Sequence, residues 1–333
     1  MNRRYLTCFF FLTWIFYWSA ANAQTPINDS VISSIHRFSL NTGVKSVVPY
    51  GNRFLCLDEG VKLFFVDPKS NQIDSSINKY SSDFNFRELQ VINDTIIGIE
   101  RYQSYFLDLL KKQWKVYKIK KYVYPGNLIF QDKDYFISKT CSGEWGGTIY
   151  FTDRKTFKTY EGECTCAVDV IKKDGYYNIA ASLAHMSGFT TIFNIKNPRA
   201  LKLHAIKKTN NSSKPLKIAA RGSVESNSIR GMEKLADTIG GICVGSFKYK
   251  STILYVVEYD SFKNPPSVWI DTIQKNKFVH LVNLTHFGIL ETGYDIFSNN
   301  GTIISPFDNK DFSGFIYIAD NKMNLYIFDR LKK

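Results

Sequence analysis

With 333 residues, 43 Lys and Arg against 30 Asp and Glu, and a formal charge of +13, the chain is basic without any single dense basic run. Net charge bears on solubility and non-specific partners rather than on fold. With no dense basic run, and with the export signal described next, nucleic acid is excluded as a partner. Aromatic residues make up 15% of the chain, 20 Tyr and 26 Phe among them. That composition suits strands, and helical periodicity of useful length is absent.

The first element is a leader. Asn2, Arg3 and Arg4 form a basic start, an apolar run extends from Tyr5 to Trp18, and Ala21-Asn22-Ala23 offers a small-residue cleavage site before Gln24. The run falls short of the about 18–20 apolar residues a membrane span needs, and the combination describes a secretory signal peptide. The expectation is therefore a signal peptide over 1–23 and a single domain over 24–333, exported to the periplasm or beyond and soluble after cleavage. An uncleaved anchor is the competing account. Cys8 has no small-residue box before it, so a lipid-modified cysteine is not expected.

After the leader, one unit of strands and turns recurs. RFLCLD is followed by Glu59-Gly60, VKLFFVD and the turn Pro68-Lys69-Ser70-Asn71. TIIGIE, SYFLDLL and WKVYKI repeat the pattern, then DYFISKT, TIYFTD and FKTYEG, then YYNIAASL, FTTIFNI and LKLHAI. Each run alternates or is continuously apolar and is bounded by Gly, Asn, Asp or Pro, the chemistry of strands and hairpins. The polar residue closing the third strand of each unit serves as a ruler, at Asp67, Asp108, Asp153, Asn194, Asp260 and Asp320. The first intervals are about 41–45 residues and the last two about 60–66, the same unit carrying insertions. A period of about 40–50 residues with four short strands is the signature of a β-propeller. A solenoid or a sandwich explains the spacing less well. The fold expected is all-β, with six four-stranded blades, or seven if Phe278–Leu290 belongs to a further one. HRFSLN, from His36, is placed to add an outer strand to the last blade and tie the two ends together. On this blade pattern the chain resembles the exported bacterial six-bladed β-propeller proteins over nearly all of 24–333. The resemblance implies a fold and no particular activity.

Blade order sorts the loops. The loops between second and third strands, and the connections between blades, open on one face; the remaining hairpin turns open on the other. The first set is longer, and functional residues gather on long loops held by a rigid scaffold. Three unusual segments fall on that face: Cys141-Ser142-Gly143-Glu144-Trp145-Gly146-Gly147, Cys164-Thr165-Cys166 and Ala184-His185-Met186-Ser187-Gly188. A disulfide from Cys141 to Cys164 or Cys166 would link neighbouring blades, and is the favoured use of these thiols. Cys141, Cys164, Cys166 and His185 are also competent metal ligands, although Cys-x-Cys is not the usual knuckle spacing. No cofactor is expected otherwise.

Glu144 and His185 could share a proton as an acid–base pair. Trp145 could anchor a ligand, since tryptophan stacks on sugar faces and dominates binding hot spots; capping the blade core is its alternative role. The insertion Lys207–Arg230 reads as a mobile loop on the same face, and its Arg221 could reach an anionic ligand. Cys56 and Cys243 read as core residues of second strands, and His280 and His286 as part of an insertion between blades five and six. No phosphate loop, nucleophile elbow or metal helix is present. The function expected is a binding or interaction module using Glu144, Trp145, His185 and Arg221, with a glycan, a protein or an anionic surface as partner. The alternative is a hydrolase or lyase on the same face.

Overall fold

The computed structural model describes residues 32–80, 84–92, 94–100, 103–117, 124–184, 188–205, 225–259, 267–287, 297–299, 302–308, 311–319 and 321–331, with the backbone path alone at 92 and 286–308. The outermost strand of the last blade comes first in sequence, as β1 (Ile32–Leu40). Blade one is β2 (Val44–Tyr50), β3 (Arg53–Asp58), β4 (Leu63–Asp67) and β5 (Gln72–Asp74). Blade two is β6 (Glu88–Ile92), β7 (Thr95–Ile99), β8 (Ser104–Asp108) and β9 (Gln113–Val116). Blade three is β10 (Asn127–Gln131), β11 (Tyr135–Lys139), β12 (Thr148–Asp153) and β13 (Thr159–Glu163). Blade four begins with β14 (Ala167–Lys173), β15 (Tyr176–Leu183) and β16 (Phe189–Ile195). The two-residue β17 (Lys202–Leu203) is lent to blade three, and β18 (Glu233–Ile239) completes blade four. Blade five is β19 (Gly241–Tyr249), β20 (Thr252–Tyr259), β21 (Ser267–Gln274) and β22 (Lys277–Asn283). Blade six is β23 (Phe297–Asn299), β24 (Thr302–Asp308), β25 (Phe312–Ala319) and β26 (Lys322–Arg330). The four strands of each blade pair antiparallel, β1 alone joining its blade in parallel, and the arrangement is a six-bladed β-propeller.

The continuous apolar runs follow from burial on both sides. In β3, Phe54 and Cys56 point into the core shared with blade six, beside Phe315, Tyr326 and Phe328. Their neighbours Leu55 and Leu57 point the other way, into the core shared with Phe86, Leu89 and Ile96 of blade two. Side chains along a strand alternate between faces, so a sheet sandwiched between two others must be apolar at every position. β1, with only one side covered, instead alternates between half-buried and exposed. It runs parallel to β26, with Phe38 opposite Phe328, and closes the ring as expected.

Polar side chains fasten one blade to the next. Ser46 Oγ accepts from Leu89 N at 3.0 Å, Ser313 Oγ from Val44 N at 2.7 Å, and Thr190 Oγ1 from Cys243 N at 2.7 Å. The buried Asp169 carboxylate accepts from both the backbone N–H and the hydroxyl of Ser246. These contacts occupy inner-strand N–H groups that the ladders leave unpaired, and a buried unpaired N–H is costly.

The ruler residues have a structural task in blades one to three. Asp67, Asp108 and Asp153 close β4, β8 and β12, and each carboxylate accepts backbone N–H groups of the turn that follows, as at Lys69, Lys111 and Lys155. Each turn ends in a residue with positive φ: Asn71, Lys112 or Phe157.

The expected strand phase slips in blades four and five. LKLHAI does not supply the fourth strand of blade four. Asn197 Oδ1 accepts from Arg199 N and caps a 3₁₀ turn over Pro198–Ala200, which turns the chain away from β16. Lys202 and Leu203 then pair with Glu161 and Tyr160 on the outer edge of blade three. The longer ladder to β16 is made by β18, beyond the insertion. One glycine later β19 starts blade five, so Cys243 lies on a first strand rather than a second, though it is fully buried as expected. The second strand, β20, ends at Tyr259 and the third is β21, so the ruler position Asp260, which itself lies outside the described residues, comes one strand too early in sequence. Phe278 and His280 fall on β22, the fourth strand of blade five, which removes the seventh-blade alternative and the insertion assigned to them.

Candidate functional site

The loop between β11 and β12 projects from the face that carries the second-to-third strand loops. Its base is held covalently. Cys141 is bonded to Cys166 in the connection from blade three to blade four, with 4.5 Å between the Cα atoms. Cys164 keeps its thiol, is buried in the core shared by the two blades, and is pushed up by burial to about 12. The bond therefore takes two of the four side chains considered as metal ligands. Among the described residues no group of three or more His, Cys, Asp or Glu is placed to hold a metal.

A second clamp comes from an unexpected direction. Glu225, at the far end of the insertion, accepts hydrogen bonds from Ser142 Oγ at 2.5 Å and from the Thr140 and Thr148 hydroxyls at 2.6 Å each. Ser226 N donates to Thr148 Oγ1 at 2.8 Å, and Thr148 N to Thr140 Oγ1 at 3.1 Å. Burial pushes the Glu225 carboxyl up, but the three hydroxyls outweigh it and hold the group below the usual range. Where the loop returns, Gly147 is required. A Cβ there would lie 2.7 Å from the carbonyl oxygens of both Cys164 and Thr140.

Between the clamps, Gly143–Trp145 makes one 3₁₀ turn, with Ser142 N donating to Gly146 O at 2.9 Å. Gly143 and Gly146 both have positive φ, which glycine adopts without steric cost. The turn displays Glu144 and Trp145 on its outer side. Trp145 is 80% exposed, which excludes a core-capping role. On the same side of the propeller, Ile239 is 84% exposed at the end of β18, next to blade five. His185 and Arg221, named with Glu144 and Trp145 as candidate ligand contacts, lie outside the described residues. The end of the insertion, Glu225–Arg230, runs along the outer edge of blade three, where Glu163 N donates to Ser228 O at 2.8 Å.

Sequence reasoning missed Glu225 entirely, because nothing local marks an acid at the end of an insertion as a clamp for a loop some 80 residues earlier. It also missed a cluster on blade five. There the fully buried Asp271 accepts from the Tyr259 hydroxyl and lies 2.8 Å from His280 Nδ1. The imidazole stacks on Trp269 with 4.5 Å between centroids. Burial raises the Asp271 carboxyl, and the two partners offset this only in part. The signal was available in the alternation of Trp269 and Asp271 opposite His280, but only once β21 and β22 are recognised as paired strands.

No family model matches the sequence, and no curated protein matches it. Solved structures similar in chain path include the AfRom2 CNH domain, at 9% identity and a TM-score of 0.37, over 85% of this chain and 97% of that one. BamB from Moraxella catarrhalis is similar at 10% identity and a TM-score of 0.36, over 79% of this chain and 80% of that one. The extracellular domain of a putative one component system from B. thetaiotaomicron is similar at 10% identity and a TM-score of 0.33, over 85% of this chain and 40% of that one. Likeness at this level concerns the path of the chain, and nothing about ligand or activity passes from these proteins to this one.

Proposed function

We propose that the chain is an exported interaction module that engages its ligand with the loop face of blade three, Trp145 serving as anchor. The observation that carries this is an indole 80% exposed on a loop fixed at its base by a disulfide and along its flank by a carboxylate clamp. Ordering a flexible loop on binding costs free energy, and a loop already held in place avoids that cost. Large, rigid aromatic groups so presented supply the dominant contacts of binding surfaces. Export accords with the leader over 1–23 and with the Cys141–Cys166 bond, since disulfides persist in oxidising compartments. Among the described residues no helix is long and apolar enough to cross a membrane. The hydrolase or lyase alternative has no observation to favour it, because its partner for Glu144 is His185.

The test compares the immobilised chain with its Trp145→Ala variant on a printed glycan array and on the exported proteins of the source cell. A ligand retained by the first and lost from the second, at equal melting temperatures, supports the proposal. Equal retention by both removes Trp145 from the contact.

A further inference from the structure

The opposite face carries a feature that the Trp145 loop does not explain. In blades two and three, the turns between third and fourth strands are Asp108-Leu109-Leu110-Lys111-Lys112 and Asp153-Arg154-Lys155-Thr156-Phe157-Lys158. The leading aspartate of each binds the turn's backbone N–H groups, so the backbone is fixed and the intervening side chains are left outside. Leu110 is 95% exposed, Phe157 55% and Leu109 48%. Exposed large apolar side chains are normal when scattered singly, but their recurrence on the corresponding turns of two successive blades marks this rim as a candidate interaction surface.

Phe157 is also in a conformation that its side chain disfavours. Its φ of 56° matches that of Asn71 at the same place in blade one, where asparagine is at ease. A bulky aromatic residue in this region is an outlier, and strain of this kind gathers at functional positions.

The surrounding charge is a positive surplus. Asp108 is paired with Lys115 at 2.6 Å, Asp153 with Arg199 at 2.8 Å, and Asp132, on the neighbouring turn of blade three, with Lys172 at 2.6 Å. Lys111, Lys112, Lys155 and Lys158 are exposed, and no carboxylate among the described residues pairs with them. Aliphatic and aromatic tips set among lysines without a carboxylate partner among the described residues match the chemistry of a lipid interface. The apolar tips would enter the headgroup boundary, and the cations would face anionic phosphates.

We propose that the turn rim of blades two and three docks the protein on an anionic phospholipid surface. Because the two kinds of loop leave opposite ends of every blade, docking at this rim directs the Trp145 loop away from the membrane. The proposal is independent of what Trp145 binds.

The experiment is co-sedimentation of the chain from Gln24 onward with large vesicles of phosphatidylcholine, alone or with about one-third phosphatidylglycerol. Starting at Gln24 removes the apolar leader, which would itself partition; Ile32–Lys333 forms a contact unit by itself. The expected result is binding to the anionic vesicles only, released by salt at about 0.5 M. Each lysine near the surface contributes about fivefold, so K111E/K112E lowers partition by at least about 25-fold. L110S/F157N also lowers it while leaving the melting temperature no lower, since asparagine suits the backbone at 157; a loss there is therefore not unfolding. Trp145→Ala binds vesicles as the parent chain does, which separates this proposal from the preceding one. Absence of binding to anionic vesicles, or equal partition by parent and rim variants, overturns it. Capture of an acidic protein by the rim without vesicle binding does the same.

Discussion

Replacing Cys141 by Ser tests the covalent hold on the loop. Serine is nearly isosteric and Cys141 is exposed, so packing changes little and the cost comes from the lost crosslink. The bond spans a sequence separation of 25. A closed loop of that length removes enough denatured-state entropy to stabilise the fold by about 3.5 kcal/mol. Unfolding entropy is about 2.1 cal/mol/K per residue, or about 0.6 kcal/mol/K for a domain of about 300 residues. The melting temperature is therefore expected to fall by about 5–6 °C. Scanning calorimetry of the oxidised chain and of Cys141→Ser, Cys166→Ser and the double variant measures it. All three variants should melt together, and reduction of the parent chain should reproduce their value. Cys164 should not replace Cys166, because its buried thiol, held at about 12, yields almost no thiolate. A melting temperature within a degree of the parent's would refute the reasoning. So would rescue of Cys166→Ser by a bond to Cys164.

Glu225→Gln should lower stability below the parent's near neutrality and flatten the acid limb of the pH profile, as read from thermal melts between about pH 3 and 6. Glu225 lies below its ordinary value of 4.5 in the folded state, so its contribution is complete above that value and lost as pH falls through the depressed one. Acrylamide quenching of tryptophan should report a looser loop in the same variant. Leu55→Ala, at a fully buried position in the core between blades one and two, should cost about 2–5 kcal/mol in urea unfolding. Phe157→Gly should raise stability by about 1 kcal/mol, because it relieves a left-handed backbone at an exposed position and gives up little packing. A loss of stability in that variant would mean the ring makes contacts its exposure does not suggest.

The propeller was legible because its repeat is written in turn chemistry. Asp67, Asp108 and Asp153 recur at nearly constant intervals since each must cap the same turn. The runs between them are apolar at every position since both faces of each blade are buried. Legibility failed where those devices stop. Blade five turns from its third to its fourth strand through Lys275-Asn276, both with positive φ, and has no capping aspartate there. The next aspartate in sequence, Asp260, follows the last residue of β20 and so marks the repeat one strand too early. In blade four the insertion separates β16 from its partner β18, and a two-residue strand, β17, occupies the place the repeat reserves for it. At the candidate site, the glycines around Glu144 and Trp145 and the neighbouring cysteines pointed to the loop. The clamp did not show, because hydrogen bonds to Glu225 depend on where a long insertion returns. The choice of Cys166 over Cys164 likewise rests on direction. Cys166, at positive φ, turns toward the loop, whereas Cys164 packs into the core.

If a rigidly held Trp145 is the point of ligand contact, a probe at that position must capture the ligand. The most direct measurement places a photo-crosslinking phenylalanine analogue at position 145 in the cell of origin and identifies by mass spectrometry what it captures on irradiation. One dominant adduct is expected at 145, absent when the probe is moved to Phe157 on the opposite face. The same adduct should be diminished when Glu225→Ala or Cys141→Ser loosens the loop. No adduct at 145, or the same adducts from both faces, would contradict ligand contact through Trp145.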